Sequence, residues 1–324
     1  NFSNNSARRG GAIFGDDYSN LTVTNSNFSN NSASSRGGAI FGADNSNLTV
    51  TNSTFSNNSA SRGGAIYGND NSSLSITNSN FSNNSAYSGG GAVYVDENST
   101  LSIANSTFTQ NRANGTSSVG GAVYLADFTV ANITSSNFTN NSATIQGGAI
   151  YLDDAGILNI SDSSFSNNSA DVGGAIAVEV YNCVTISNSS FSGNHANLGG
   201  GALAVSESYD SYDTTVHIAD SSFANNTATN GGAIFIAEYS NLSISNGTFT
   251  DNAATHHGGA VALGHVVTLL ANTSTFANNS AGWSGGAVAV LDSNSGGFLF
   301  YCTFSDNSAN DHGVAIRAFR RRKT

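Results

Sequence analysis

The chain has 324 residues, of which only 10% are charged, and it contains no Pro, no Met and a single Trp. Its net charge is −11, and all 21 acidic residues precede Arg317 against five basic ones, so residues 1–316 carry −16. An acidic, weakly charged chain is a poor nucleic-acid ligand, no stretch approaches the length of a membrane-spanning helix, and strictly periodic apolar residues argue against disorder despite the Asn, Ser and Gly content.

The periodicity begins at the first residues. An F-x-x-N tetrad occurs twelve times, with its Phe at Phe2, Phe28, Phe55, Phe81, Phe108, Phe138, Phe165, Phe191, Phe223, Phe249, Phe276 and Phe304. A G-G-A-[I/V/L] tetrad follows each of the first eleven, and the twelfth reads Gly313-Val314-Ala315-Ile316. Successive Phe residues are mostly 26 or 27 apart, and the first Gly precedes the next Phe by 18 residues in nine cases of eleven. Two segments of nearly fixed length are what a coiled chain with corners requires.

Within each unit three runs show the two-residue alternation of strands: one around the Phe, one at G-G-A-I, and one at Leu21-Thr22-Val23-Thr24 and its copies. Three strands in about 27 residues leave no room for helical crossovers. They predict an all-β, right-handed parallel β-helix of about twelve turns, roughly 55 Å long at ~4.8 Å per turn. Phe would stack on Phe inside, as would Ile40, Ile66, Val93, Val123 and Ile150. The paired Gly would turn a corner through positive φ or close backbone approach, and the Asn after Phe would form a ladder at another corner. Residues 1–316 form one solenoid domain, and 317–324 form a basic tail ending in Arg320-Arg321-Arg322-Lys323.

The residue two after Ala is aromatic in the first six turns: Phe14, Phe41, Tyr67, Tyr94, Tyr124 and Tyr151. Alternation with the buried Ile or Val turns it outward, so the six are expected to form either a shielding stack or a contact stripe about 24 Å long. Arg9, Arg36 and Arg62 stand directly before the glycines. A longer loop holds Tyr209, Asp210, Tyr212 and Asp213, the kind of insertion where solenoids place specificity. Asn20, Asn47, Asn98, Asn132 and Asn241 lie in N-x-S/T sequons, acceptors for glycans in a secreted eukaryotic protein. Cys183 and Cys302 fall four turns apart, roughly 19 Å, beyond disulfide reach. The chain starts without Met, reads as a mature or excised piece of a longer product, and has no polar capping element at either end.

The pairing of G-G-A-I with F-x-x-N resembles the repeats of the polymorphic outer-membrane proteins of chlamydiae and covers essentially the whole chain. The resemblance implies a right-handed β-helical adhesin of the autotransporter-passenger kind, displayed on a cell surface. The outer-membrane β-barrel of that family has no counterpart in this chain. The expected function is a non-catalytic extracellular or cell-surface rod, an adhesin shaft or filament subunit. Its partners are further copies of itself, end to end or side by side, or cell-surface glycans and proteins, with no cofactor and no metal. One alternative is a carbohydrate-active β-helix lyase or hydrolase. Against it, no Lys or Arg occurs between Arg112 and Arg317, and the acid pairs Asp16-Asp17 and Asp153-Asp154 are strand neighbours pointing to opposite faces. The other is an ice- or surface-binding solenoid using the Thr rows, which degrade after three turns.

Overall fold

The computed structural model describes residues 1–206 and 213–318, a right-handed parallel β-solenoid in which every strand pairing is parallel. The twelve Phe strands bound eleven full turns. The second of these shows how sequence becomes shape. Phe28 sits in the strand Asn27–Ser29, and the chain then bends at Asn30 (φ 55°). Asn tolerates this left-handed conformation because its short polar side chain bonds locally. The buried Asn31 leads into Ser32–Arg36, and the Gly37-Gly38 corner leads into Ile40–Gly42. A tight turn at Asn45 (φ 58°) delivers Asn47–Thr51, and Asn52 (φ 49°) closes the circuit. Three of the four corners therefore use a left-handed Asn, and the fourth uses Gly.

The two glycines of that corner do different jobs. Gly37 has φ +65°, and a Cβ on Gly38 would lie 2.0 Å from the carbonyl oxygen of Gly64 in the next turn. The first supplies the conformation, and the second lets two backbones approach. Val314 replaces the second glycine where no further turn is stacked among the described residues.

There are three sheets, matching three strands per turn, but the segments divide among them differently from expectation. The G-G-A-I and L-T-V-T runs share one 21-stranded sheet. The third sheet is built from the Ser-Ala segment after the buried Asn, such as Ser59–Arg62 and Ser169–Val172. That segment lacks β-branched or aromatic residues over most of its copies, so it carries no strand signal of its own. It is held extended between two fixed corners. In two late turns, Ile234–Ser245 and Val261–Asn272, the two runs join into one strand that still bends through positive φ at Tyr239 and Val266.

The core is a set of columns parallel to the axis. Phe rings stack at 4.6–4.9 Å with planes within 8° from Phe2 to Phe304. Ile40, Ile66, Val93, Val123 and Ile150 are fully buried as expected, and so is each Phe of the F-x-x-N column from Phe28 to Phe276. Burying a side chain of this size contributes about 1.5–3 kcal/mol, so each turn adds several such increments against its own ordering entropy.

The Asn column is equally regular. Asn168 Nδ2 donates to Asn194 Oδ1 and to the Phe138 carbonyl, each at 3.0 Å. Its own Oδ1 accepts the backbone N–H and the Nδ2 of Asn141 at 2.9 and 3.0 Å. Every donor and lone pair of the amide is thus occupied inside the fold, which is what makes a fully buried polar residue tolerable. A second column was not anticipated. Ser163, two residues before Phe165, accepts the N–H of Ser136 and donates to the Ser161 carbonyl. Its sequence signal is the N-S-x-F spelling, hidden by the abundance of Ser.

Candidate functional site

The aromatic column forms, and of the two expected arrangements it takes the stack rather than the open stripe. Phe14 to Tyr124 stack pairwise at 4.2–5.5 Å, and Tyr151 tilts 36° away from Tyr124. Phe14 alone is widely exposed (50%), whereas Phe41, Tyr67, Tyr94 and Tyr151 are all below 9%. These rings point out of the core, yet the Gly-Gly corner brings another part of the coil across them. The residue before the first glycine in one turn covers the ring of the next. Arg9 lies 5.4 Å from the Phe41 centroid, Arg36 4.9 Å from that of Tyr67, and Arg62 5.7 Å from that of Tyr94. Cation–π attraction accounts for Arg at these positions, because the guanidinium seals the ring face while keeping contact with water. Later, the bare backbone of Gly89 packs against Tyr124.

The phenol tips are held by acids. Tyr67 donates to Asp96, Tyr124 to Asp153, and Tyr151 to Glu179 at 3.2 Å. Burial first, and the charge of Asp96 second, push the Tyr94 phenol up to about 12. Tyr67, Tyr124 and Tyr151 are raised further, again chiefly by burial. Burial also raises the carboxyls of Asp70, Asp127, Asp154 and Glu179, with neighbouring acids adding to each. From Phe41 to Tyr151 the column is therefore a covered, acid-edged ridge.

The other singled-out residues disperse. Tyr209, Asp210 and Tyr212 lie outside the described residues, and Asp213 is exposed. Asn20, Asn47, Asn98, Asn132 and Asn241 are all exposed. Asn47 donates to Asn20 (2.9 Å) and Asn159 to Asn132 (3.0 Å) along the surface. Asp153 and Asp154 are committed to Tyr124 and to the Val180 N–H respectively. Cys183 and Cys302 are free thiols. His256 lies flat on Trp283 at 3.9 Å, and His257 contacts Ser284. Among the described residues no three His, Cys, Asp or Glu converge on a point where a metal would sit, and no helix is long and apolar enough to cross a membrane.

Two family profiles match the chain. One, described as a right-handed β-helix region, covers residues 1–130. The other, the Chlamydia polymorphic membrane protein repeat, matches residues 135–153, 162–179 and 220–237. The first repeat match contains Phe138, Asn141, the Gly147-Gly148 corner and Tyr151, the residues that build the Phe column, the Asn column and the ridge. No curated protein and no solved structure matches the chain. With an F-x-x-N unit in all twelve copies and G-G-A-[I/V/L] in all but the last, the chain is a right-handed β-helical repeat protein whose repeats are similar to those of the polymorphic membrane proteins.

Proposed function

We propose that the chain is a non-catalytic, cell-surface rod that serves as the shaft of an adhesin. The observation that carries this reading is the unbroken run of Phe and Asn columns through all twelve copies of the repeat. Such columns give a stiff object that holds a distal surface away from its anchor. The polymorphic-membrane-protein repeats support a surface-associated setting. Partners are cell-surface glycans or proteins, reached from the exposed loops. Asn20, Asn47, Asn98, Asn132 and Asn241 are exposed enough to carry glycans where the source organism adds them.

The test is electron microscopy of the protein as its source releases it, paired with binding of chain-coated beads to cells. Single rods of roughly 55 Å, or rods projecting from a membrane, together with bead attachment, are the expected result. Rods without attachment would leave the shaft and remove the adhesin. Continuous fibres with this chain repeating end to end would replace both with a filament subunit. Polysaccharide cleavage lost on Asp153→Ala would overturn the non-catalytic reading.

A further inference from the structure

The ridge has a gap. In register, Tyr151 is followed by Ala177 and Ala204 before an aromatic returns at Phe235. The covering residues continue regardless: Gln146 and Val172 stand where the earlier turns place a lid over a ring, but there is no ring beneath them. The Gln146 side chain crosses the gap to Ser206, and beside it a cleft of about 440 Å³ opens between Val172, Gly199 and Phe235. That volume falls within the ~300–1,000 Å³ range of small-molecule sites.

The cleft has one aromatic wall, Phe235, whose ring packs over Gly199, and an aliphatic side formed by Leu198. Its polar groups converge from different turns. Gln146 spans two turns to donate to Ser206 Oγ at 3.1 Å, and Glu179 receives the Tyr151 hydroxyl. Asn230 Oδ1 is buried and accepts no hydrogen bond among the described residues. A buried acceptor without a donor costs about 1–3 kcal/mol.

We propose that this cleft binds an uncharged pyranose ring of a glycan. A sugar has the matching two-sided character: C–H faces that lie on Phe235, and several equatorial hydroxyls for Asn230, Glu179 and Ser206. A partner's Tyr side chain fits the cleft less well, because its single hydroxyl answers only one of the polar groups around the rim. An anionic sugar is disfavoured by the acids beside the cleft, Asp153, Asp154 and Glu179. The inference does not need the adhesin reading: sugar binding by a rod that attaches to no cell would leave it standing.

Saturation-transfer NMR on the whole chain tests it, using the methyl glycosides of glucose, galactose, mannose and N-acetylglucosamine, with methyl glucuronide as the anionic control. At least one neutral glycoside should receive saturation and the glucuronide should not. Phe235→Ala and Asn230→Ala should each weaken binding about tenfold. Ala204→Tyr, which rebuilds the missing ring, should abolish it. Circular dichroism of each variant confirms the fold, and Arg8→Ala, at an exposed position on a distant turn, should bind as the parent does. Failure of all four neutral glycosides, equal binding of the glucuronide, or indifference to both Phe235→Ala and Asn230→Ala would overturn the proposal. Binding of N-acetyltyrosinamide in place of the glycosides would reassign the slot to a partner's aromatic side chain.

Discussion

At the scale of single residues the fold rests on side chains whose neighbours are copies of themselves. Asn168 makes the case quantitative. Asn168→Ala strips the acceptor from two buried donors of Asn141 and the donor from the Phe138 carbonyl. Each of the three orphaned groups costs about 1–3 kcal/mol, so a loss of roughly 3–9 kcal/mol in chemical denaturation is expected. Asn168→Asp should be worse at neutral pH, because a carboxylate has no proton for Asn194 Oδ1 or Phe138 O. Burial would raise that carboxyl's pKa above its unfolded value. The folded state then takes up the proton first, so the deficit should shrink as pH falls. Recovery of Asn168→Asp on raising the pH would contradict the hydrogen-bond account. This column was legible beforehand, because F-x-x-N recurs without exception. The neighbouring Asn was not fully legible. In N-N pairs such as Asn30-Asn31 the first residue is a left-handed corner and the second is the buried ladder, a division of labour that spelling alone does not show.

At the scale of elements, the ridge couples stability to alkaline pH. The Tyr94 phenol is raised from its ordinary value near 10 to about 12. A raised phenol means the folded state holds its proton longer than the unfolded chain. Its contribution is complete below about pH 10 and is lost as pH rises through about 12. Thermal unfolding should therefore be flat in this term to about pH 10 and fall beyond it, and Tyr94→Phe should remove part of that fall. Phe already occupies the same column at Phe14 and Phe41, so the substitution keeps the stacking. An identical alkaline profile in Tyr94→Phe would show that this phenol is not the titrating group. What covers the ridge is not legible in the sequence, for a definite reason. Alternation says which face of its own strand a side chain takes, and Tyr67 does leave the core. It says nothing about Arg36, which precedes Tyr67 by 31 residues and meets it only across the Gly-Gly corner of the preceding turn. The Ser-Ala strands escaped for a related reason, since their extension is imposed by the corners on either side.

At the scale of the molecule, stability is a sum over turns and the interfaces between them. Deleting residues 147–172 removes one full period and joins Gln146 to Gly173, placing Asn141 under Asn194 and Phe138 under Phe191. The shortened chain should fold, with a denaturant dependence reduced by about one turn's share of buried surface. A deletion half as long should not give a cooperative transition. Equal folding of both would show that the columns do not set the register. The same sameness of neighbours has a consequence for how the chain finds its native alignment. A turn paired with the next but one would still set Phe on Phe and Asn on Asn, so these columns specify phase within a turn but not which turn lies above which. Ordering has to come from the irregular places: the insertion at residues 114–118, the Ala177–Ala204 gap in the ridge, and the merged strands Ile234–Ser245 and Val261–Asn272. What looks like decay of the repeat is, for the folding chain, its page numbering.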